Sequence, residues 1–124
     1  MVLAGYPPQA NEAAIKFCRK FAKVQAGLDP YNKETASQAP AQFVNFSKCF
    51  HGRTMGALSI TYKSQYRTPF EPVMGPAPIE VPFLDLEAAA RAIQKGKTCG
   101  VFVEPIQGEG GIHASTREFL QGLR

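Results

Sequence analysis

The sequence predicts an α/β fold built on a mostly parallel sheet, and three observations carry that expectation. Two segments have helical periodicity, NEAAIKFCRKFAKVQAG (11–27) and LDLEAAARAIQKG (84–96). Two apolar segments, AQFVNF (41–46) and TCGVFVE (98–104), have the length and composition of strands. The two kinds alternate along the chain, and helices alternating with buried strands pack on the faces of a parallel sheet.

In the first helical segment Ala14, Phe17, Cys18, Phe21 and Val24 or Gln25 recur at three- and four-residue steps, which predicts an amphipathic helix with those residues on its apolar face. Asn11 is placed to cap it or to sit in its first turn, Glu12 suits its positive end, Lys20 and Lys23 suit its negative end, and Gly27 is a natural stop. LDPYNKETASQAPAQ (28–42) is polar and proline-punctuated, so an exposed loop is expected. AQFVNF alternates as a strand, SKCFHGR (47–53) leaves it through a turn around Gly52, and TMGALSIT (54–61) reads as a short helix weakened by Gly56. Half of the ten prolines fall between Tyr62 and Pro82, which predicts mainly irregular chain with one short strand in APIEV (77–81). In the second helical segment Leu86, Ala89, Ala90 and Ile93 share a face and Gly96 lies just beyond. TCGVFVE is a continuous apolar strand, and STREFLQGLR (115–124) opens a last helix with Ser115 or Thr116 as cap and Glu118 in its first turn.

With 124 residues, 44% of them apolar, the chain has the size and composition of one globular domain. The 14 Lys and Arg against 10 Asp and Glu give a net charge of +4, but the basic residues are interspersed with acids and apolar positions. That distribution suits a solvated surface and not a nucleic-acid site. Cys18, Cys49 and Cys99 are odd in number, far apart and without Cys/His ligand spacing, so neither a disulfide framework nor a zinc site is expected. No apolar run is long enough to span a membrane, and the N-terminus lacks the features of a signal or transit peptide; the sequence as written is expected to be cytoplasmic.

The most informative stretch is VFVEPIQGEGG (101–111), where an apolar strand runs directly into Glu104 and then into a glycine-rich loop holding Glu109. In open α/β sheets ligands sit outside the carboxyl ends of strands, so this loop lies where a site belongs. A carboxylate just beyond a buried strand costs several kcal/mol unless a cation or hydrogen-bond donors receive it. Glu104 therefore either pairs structurally or serves a site, and GEGG on its own reads equally well as a turn.

These residues carry a resemblance. VFVEPIQGEGGIHASTREFLQGLR is similar to the matching segment of class III pyridoxal-phosphate aminotransferases, FSKCFHGRTMGALSIT followed by PFEPVMG resembles their acetylornithine branch, and ANEAAIKFCRKFA resembles the helix after their phosphate-binding turn. The three motifs stand in the family's order. The resemblance implies that residues 10–124 form part of the large, cofactor-binding domain of the fold type I transferase fold, with residues 1–9 an atypical N-terminal segment.

It further implies pyridoxal 5′-phosphate as cofactor. Phe50 would stack on its pyridine face, with His51 bordering it, Ala10 and Asn11 flanking its phosphate, and Glu104 in the network supporting its ring. Arg53 would receive a substrate carboxylate, for which a planar guanidinium is suited. Glu109 matches the family's second glutamate, which pairs in relatives with an arginine from the C-terminal part and switches the site between two substrates. Gln107 reads as a hydrogen-bonding residue of the loop.

The reaction implied is transamination between N-acetylornithine, or in related branches ornithine or 4-aminobutyrate, and 2-oxoglutarate, in a homodimer that would stand in the mitochondrial matrix if the parent is eukaryotic. Two departures accompany the resemblance. No lysine of this chain sits in the family's Schiff-base context, so the sequence is expected to be inactive alone, leaving an interaction module that associates with intact subunits as the alternative. Where relatives carry a Ser-Gly-Thr-Glu turn, this chain has Tyr6, Pro7, Pro8 and Gln9, and two prolines remove two backbone donors from the phosphate's place.

Overall fold

A computed structural model describes residues 6–71 and 78–124. Its centre is a three-stranded parallel sheet in the order β2-β1-β3, formed by β1 (Gln42–Phe46), β2 (Ile79–Val81) and β3 (Thr98–Val101). The expected parallel α/β layer is therefore present. A second, two-stranded antiparallel ribbon joins β4 (Ile106–Gln107) to β5 (His113–Ala114) across the glycine-rich loop.

Strand β1 shows why both faces of the sheet must be covered. Side chains alternate along a strand, so Val44 and Phe46 enter one layer and Phe43 and Asn45 the other. Val44 and Phe46 join Val81, Ala89, Ala92 and Phe119 in the larger core, under helices α4 (Leu86–Ala92) and α5 (Arg117–Leu123). Phe43 joins Ile60 and Phe102 in the smaller core, packed against Ala14, Ile15, Cys18 and Cys99 below α1 (Pro7–Gln25). Asn45 is fully buried on that side and donates to the Ile60 carbonyl at 2.7 Å. Cys49, 2% exposed, turns its thiol toward the same carbonyl at 3.4 Å, and burial pushes that thiol up to about 12.

Helix α1 departs from expectation at both its start and its phase. It begins at Pro7, so Asn11 neither caps it nor sits in its first turn. Prolines are tolerated there because the first N–H groups of a helix have no intrahelical acceptor. Its core-facing residues are Ala14, Ile15, Cys18 and the buried Ala22, whereas Phe17 and Phe21 are 57% and 63% exposed. The helix ends as expected at Gly27, at φ +71°, where the Gly27 and Leu28 N–H groups reach back to the Val24 and Lys23 carbonyls, both at 3.0 Å.

The other boundaries move by a few residues. The loop of residues 28–41 holds turns and no regular element, and TMGALSIT contains the short helix α2 (Met55–Ser59). Residues 62–71 are more regular than expected, forming α3 (Ser64–Arg67) and a 3-10 turn (Thr68–Phe70). Of APIEV, Ile79–Val81 is a strand, and Ala77 lies outside the described residues. Helix α4 stops at Ala92, three residues before Lys95, because Ile93 adopts an extended conformation. The β3 ladder ends at Val101, although Phe102 still donates to the Val44 carbonyl at 2.9 Å. Thr116, and not Ser115, caps α5 by accepting the Phe119 N–H at 3.1 Å; Ser115 instead donates to the Pro105 carbonyl.

No helix among the described residues is long and apolar enough to cross a membrane.

Candidate functional site

The carboxyl ends of β1 and β3 release two loops that lock together. From β1 the chain turns at once: Lys48 sits at φ +64°, and the Cys49 N–H returns to the Phe46 carbonyl at 3.1 Å. From β3 it runs past Glu104 into the β4–β5 ribbon. Gln107, fully buried, donates from its side-chain amide to the Ser47 carbonyl at 2.8 Å. A Cβ on Gly110 would lie 2.6 Å from the Lys48 carbonyl oxygen, so at this position the glycine permits the contact between the loops.

Glu104 spans the same junction. Its Oε2 accepts the Phe50 N–H at 3.0 Å, and burial raises its pKa against the opposing pull of the Phe50 and Gly108 backbone N–H groups. The donors that a carboxylate needs at this depth are thus main-chain amides of the two loops, and the acid fixes where Phe50 sits.

Around Phe50 the remaining polar residues gather on Tyr66, which α3 projects into the site. The Tyr66 ring meets Phe50 edge-on, with centroids 6.2 Å apart, and carries the Arg53 guanidinium on its face at 3.8 Å. Its hydroxyl donates to Glu109 Oε1 at 2.9 Å, and Lys63 Nζ reaches the same oxygen at 2.6 Å. Hydrogen bonds from Lys63 and Tyr66, with the Lys63 charge, hold Glu109 below the usual carboxylate range; Glu109 in turn keeps Lys63 protonated more firmly than a free lysine. Among the described residues Arg53 makes no ion pair.

His51 is buried edge-on against Phe102, with its backbone N–H on the Thr61 hydroxyl at 3.0 Å, and burial drives its imidazole down to about 4. Asn11 crosses from α1 to donate to the His51 carbonyl at 2.7 Å. Ala10 is exposed one residue earlier. Gly52 holds φ +130°, and a Cβ there would lie 2.5 Å from the Pro8 ring, so Pro8 fills the space beside it.

Of the residues singled out in the sequence, Phe50, Arg53 and Glu109 meet around one tyrosine, Glu104 joins them through the Phe50 N–H, and His51 and Asn11 form the adjoining layer. Glu109 has its cation within this chain, Lys63. Sequence reasoning missed Tyr66 and Lys63 because their segment read as irregular; the three-residue spacing of Lys63 and Tyr66, which places both on one side of a helical turn, was the available signal. It also missed Glu12, whose Oε1 accepts the Gly56 and Ala57 N–H groups at 2.7 and 3.1 Å and so caps α2 from another helix. A cleft of about 450 Å³ lined by Phe21, Gln25, Lys95 and Cys99 lies at the opposite, amino-terminal ends of the strands.

The fold and this constellation define a class: a parallel α/β domain whose aromatic, cationic and acidic residues converge where strands β1 and β3 end. Residues 4–124 match the family model for class-III aminotransferases, and the chain belongs to that family. It is 50% identical over 116 residues to the mitochondrial acetylornithine aminotransferase of Alnus glutinosa, covering 94% of this chain and 24% of that protein. It is 45% identical over 122 residues to the same enzyme of Yarrowia lipolytica, covering 98% and 26%. A structure of ornithine aminotransferase from Toxoplasma gondii, with partial occupancy of pyridoxal phosphate at its active site, superposes with a TM-score of 0.79 at 26% identity, covering 97% of this chain and 26% of that one. The chain thus spans about a quarter of the length of the relatives it matches.

Proposed function

We propose that residues 10–124 form one wall of the active site of an acetylornithine-type aminotransferase, which moves an amino group from N-acetylornithine to 2-oxoglutarate. Convergence of Phe50, Arg53, Glu104 and Glu109 at the carboxyl ends of β1 and β3 carries the reading. Pyridoxal phosphate would supply the electron sink that the chemistry needs.

The fit to that cofactor is uneven. Phe50, half-buried and anchored through its own N–H by Glu104, offers a flat apolar face for a heteroaromatic ring, and His51, kept neutral by burial, lies next to it in the chain. The phosphate end does not fit: Pro7 and Pro8 occupy the first helical turn, offer no N–H groups, and Pro8 fills the space beside Gly52. Ala10 and Asn11 would border the phosphate, but the Asn11 amide is already engaged by His51. Arg53, held on the Tyr66 face and in no ion pair among the described residues, would take a substrate carboxylate, while Glu109, here paired with Lys63, would be the acid that switches the site between its two substrates.

The lysine that tethers the cofactor is not supplied by this chain in our reading. Lys63 alone among its lysines stands in the cluster, and a lysine held protonated by Glu109 is a poor nucleophile. The chain mixed with pyridoxal phosphate and reduced with borohydride is expected to give no stoichiometric adduct at a single lysine. To test the wall itself, residues 10–124 replace the matching segment of the Alnus glutinosa relative. The chimera is expected to transaminate N-acetylornithine and to lose at least about ten-fold in kcat/KM on Arg53→Ala, the scale of one lost charge-assisted contact, or on Phe50→Ala, the scale of one lost ring stack with its buried area. A chimera that folds, turns over and ignores both changes defeats the assignment.

A second reading has an observation of its own. Phe17, Phe21 and Val24 form an exposed apolar stripe along α1, and β2 and β3 each have a free edge among the described residues. Such surfaces favour an association module that pairs with intact subunits. In the parent enzyme they suit the homodimer, and the relatives' mitochondrial location suits the matrix.

A further inference from the structure

We propose that Cys18 and Cys99 form a dithiol site that closes to an intramolecular disulfide when a small-molecule disulfide, such as oxidised glutathione, supplies the oxidant. The fold brings these two residues together from distant parts of the chain, on the α1 side of the sheet and away from the residues gathered around Tyr66.

The register of β3 carries the argument. In the β1–β3 ladder Thr98 pairs with Gln42 and Gly100 with Phe43, so two steps along β3 match one along β1, and Cys99 is the extra residue of a β-bulge. A bulge breaks the strict alternation of faces and re-aims a side chain. Cys99 accordingly packs on the cluster of Phe43, Ile60 and Phe102, the same cluster that receives Cys18 from α1. Gly100 leaves the space between them open: a Cβ there would lie 3.0 Å from the Cys18 sulfur, so that sulfur already rests against the residue next to Cys99. Consecutive Cα atoms are about 3.8 Å apart and a disulfide joins Cα atoms about 4.4–6.8 Å apart, so the remaining gap is on the scale that side-chain rotation covers. The Cys99 thiol now points at the Gln42 carbonyl at 3.2 Å, a weak hydrogen bond that such a rotation gives up at little cost. Cys99 also lines the cleft of about 450 Å³ beside α1, which admits the oxidant.

The chemistry balances within the pair and the oxidant. The Cys99 thiolate attacks one sulfur of glutathione disulfide and releases one glutathione thiolate. Cys18 then loses its proton to solvent, attacks the Cys99 sulfur of the mixed disulfide and releases the second. Two protein thiols are oxidised by two electrons, and one glutathione disulfide is reduced to two glutathiones. Burial raises the pKa of both thiols, with the neighbouring Cys18 raising Cys99 further and Arg19 pulling it back, so closure is slow at neutral pH and quickens as the pH rises.

The test holds the full, reduced 124-residue chain with glutathione disulfide at mildly alkaline pH, quenches with N-ethylmaleimide and maps the linked peptides by mass spectrometry. The folded chain is expected to yield the Cys18–Cys99 bridge at least about ten-fold over either bridge to Cys49, the effect of a high effective concentration within one pair. In urea, where no fold selects partners, all three pairings are expected. Cys49→Ser should bridge as the unmodified chain does, whereas Cys18→Ser and Cys99→Ser should stop at a glutathione adduct on the remaining thiol of the pair. A bridge that closes so long a loop should also raise the urea midpoint of unfolding, and a thiol reductant should reverse the rise. A folded chain that carries only glutathione adducts, or that bridges in the same proportions as in urea, overturns the proposal. So does a bridged form that unfolds at less urea than the reduced chain, because the two sulfurs are then out of register in the folded domain.

Discussion

At the level of single residues, His51 has the largest consequence for pH. Its imidazole is 7% exposed, Nε2 finds no hydrogen-bond partner among the described residues, and burial lowers its pKa from 6.5 to about 4. Protonation therefore favours the unfolded chain, whose histidine titrates near 6.5. Stability from this residue is complete above pH 6.5, falls between 6.5 and 4, and levels off below 4, with a total loss on the order of 3 kcal/mol. Urea titrations between pH 7.5 and 4 should show that slope, and His51→Phe should flatten it while keeping a ring against Phe102. A slope unchanged by the substitution would assign the acid sensitivity to another group. Neither this burial nor the partnership of Glu104 with a backbone amide is visible in a linear motif, because each depends on where a second loop passes.

Individual elements show how much local pattern can and cannot specify. Gly27 and Thr116 act at helix ends as their residue types predict, because capping is a matter of four or five neighbouring residues. The expected face of α1 is right at Ala14 and Cys18 and wrong at Phe17, Phe21 and Val24, for a complementary reason. Phe17 and Phe21 have the strongest apolar signal in the helix, yet the sheet takes the smaller Ala14, Ile15, Cys18 and Ala22, and a Cβ on Gly100 would already lie 3.0 Å from the Cys18 sulfur. Close approach of helix to strand selects small residues over large ones. Helix α2 depends on α1 in turn, because its short length leaves Glu12 as the acceptor for two of its first N–H groups. Burial opposes ionisation of Glu12, but the Thr54 hydroxyl, those two amides and Lys16 together lower its pKa. Glu12→Ala is expected to cost about 1–2 kcal/mol, by analogy with loss of a helix cap. Hydrogen exchange should localise the loss, with faster exchange at Gly56 and Ala57 than at the amides of β1; uniform acceleration would contradict a local role.

For the molecule as a whole, the alternation of helix and strand was sufficient for the parallel layer, and the candidate site is sought at the carboxyl ends of β1 and β3 because ligands of such sheets bind there. What the alternation could not convey is the pairing of the two loops through Gln107, Gly110 and Glu104, since those contacts join residues about sixty apart. The exposed stripe on α1 and the open edges of β2 and β3 belong to this scale too. The isolated chain is expected to self-associate as its concentration rises, which sedimentation velocity would detect. A monomer with a sharp cooperative thermal transition would remove that expectation.

The three cysteines differ in what surrounds them, and Cys49 has the greatest practical use. Its sulfur lies under the turn between β1 and the candidate site, and a thiol held near 12 carries almost no thiolate at neutral pH. Alkylating reagents should therefore mark the half-buried Cys18 and Cys99 first and reach Cys49 only when the sheet opens. Timed labelling followed by mass spectrometry would turn this one atom into an internal clock for how often the domain comes apart.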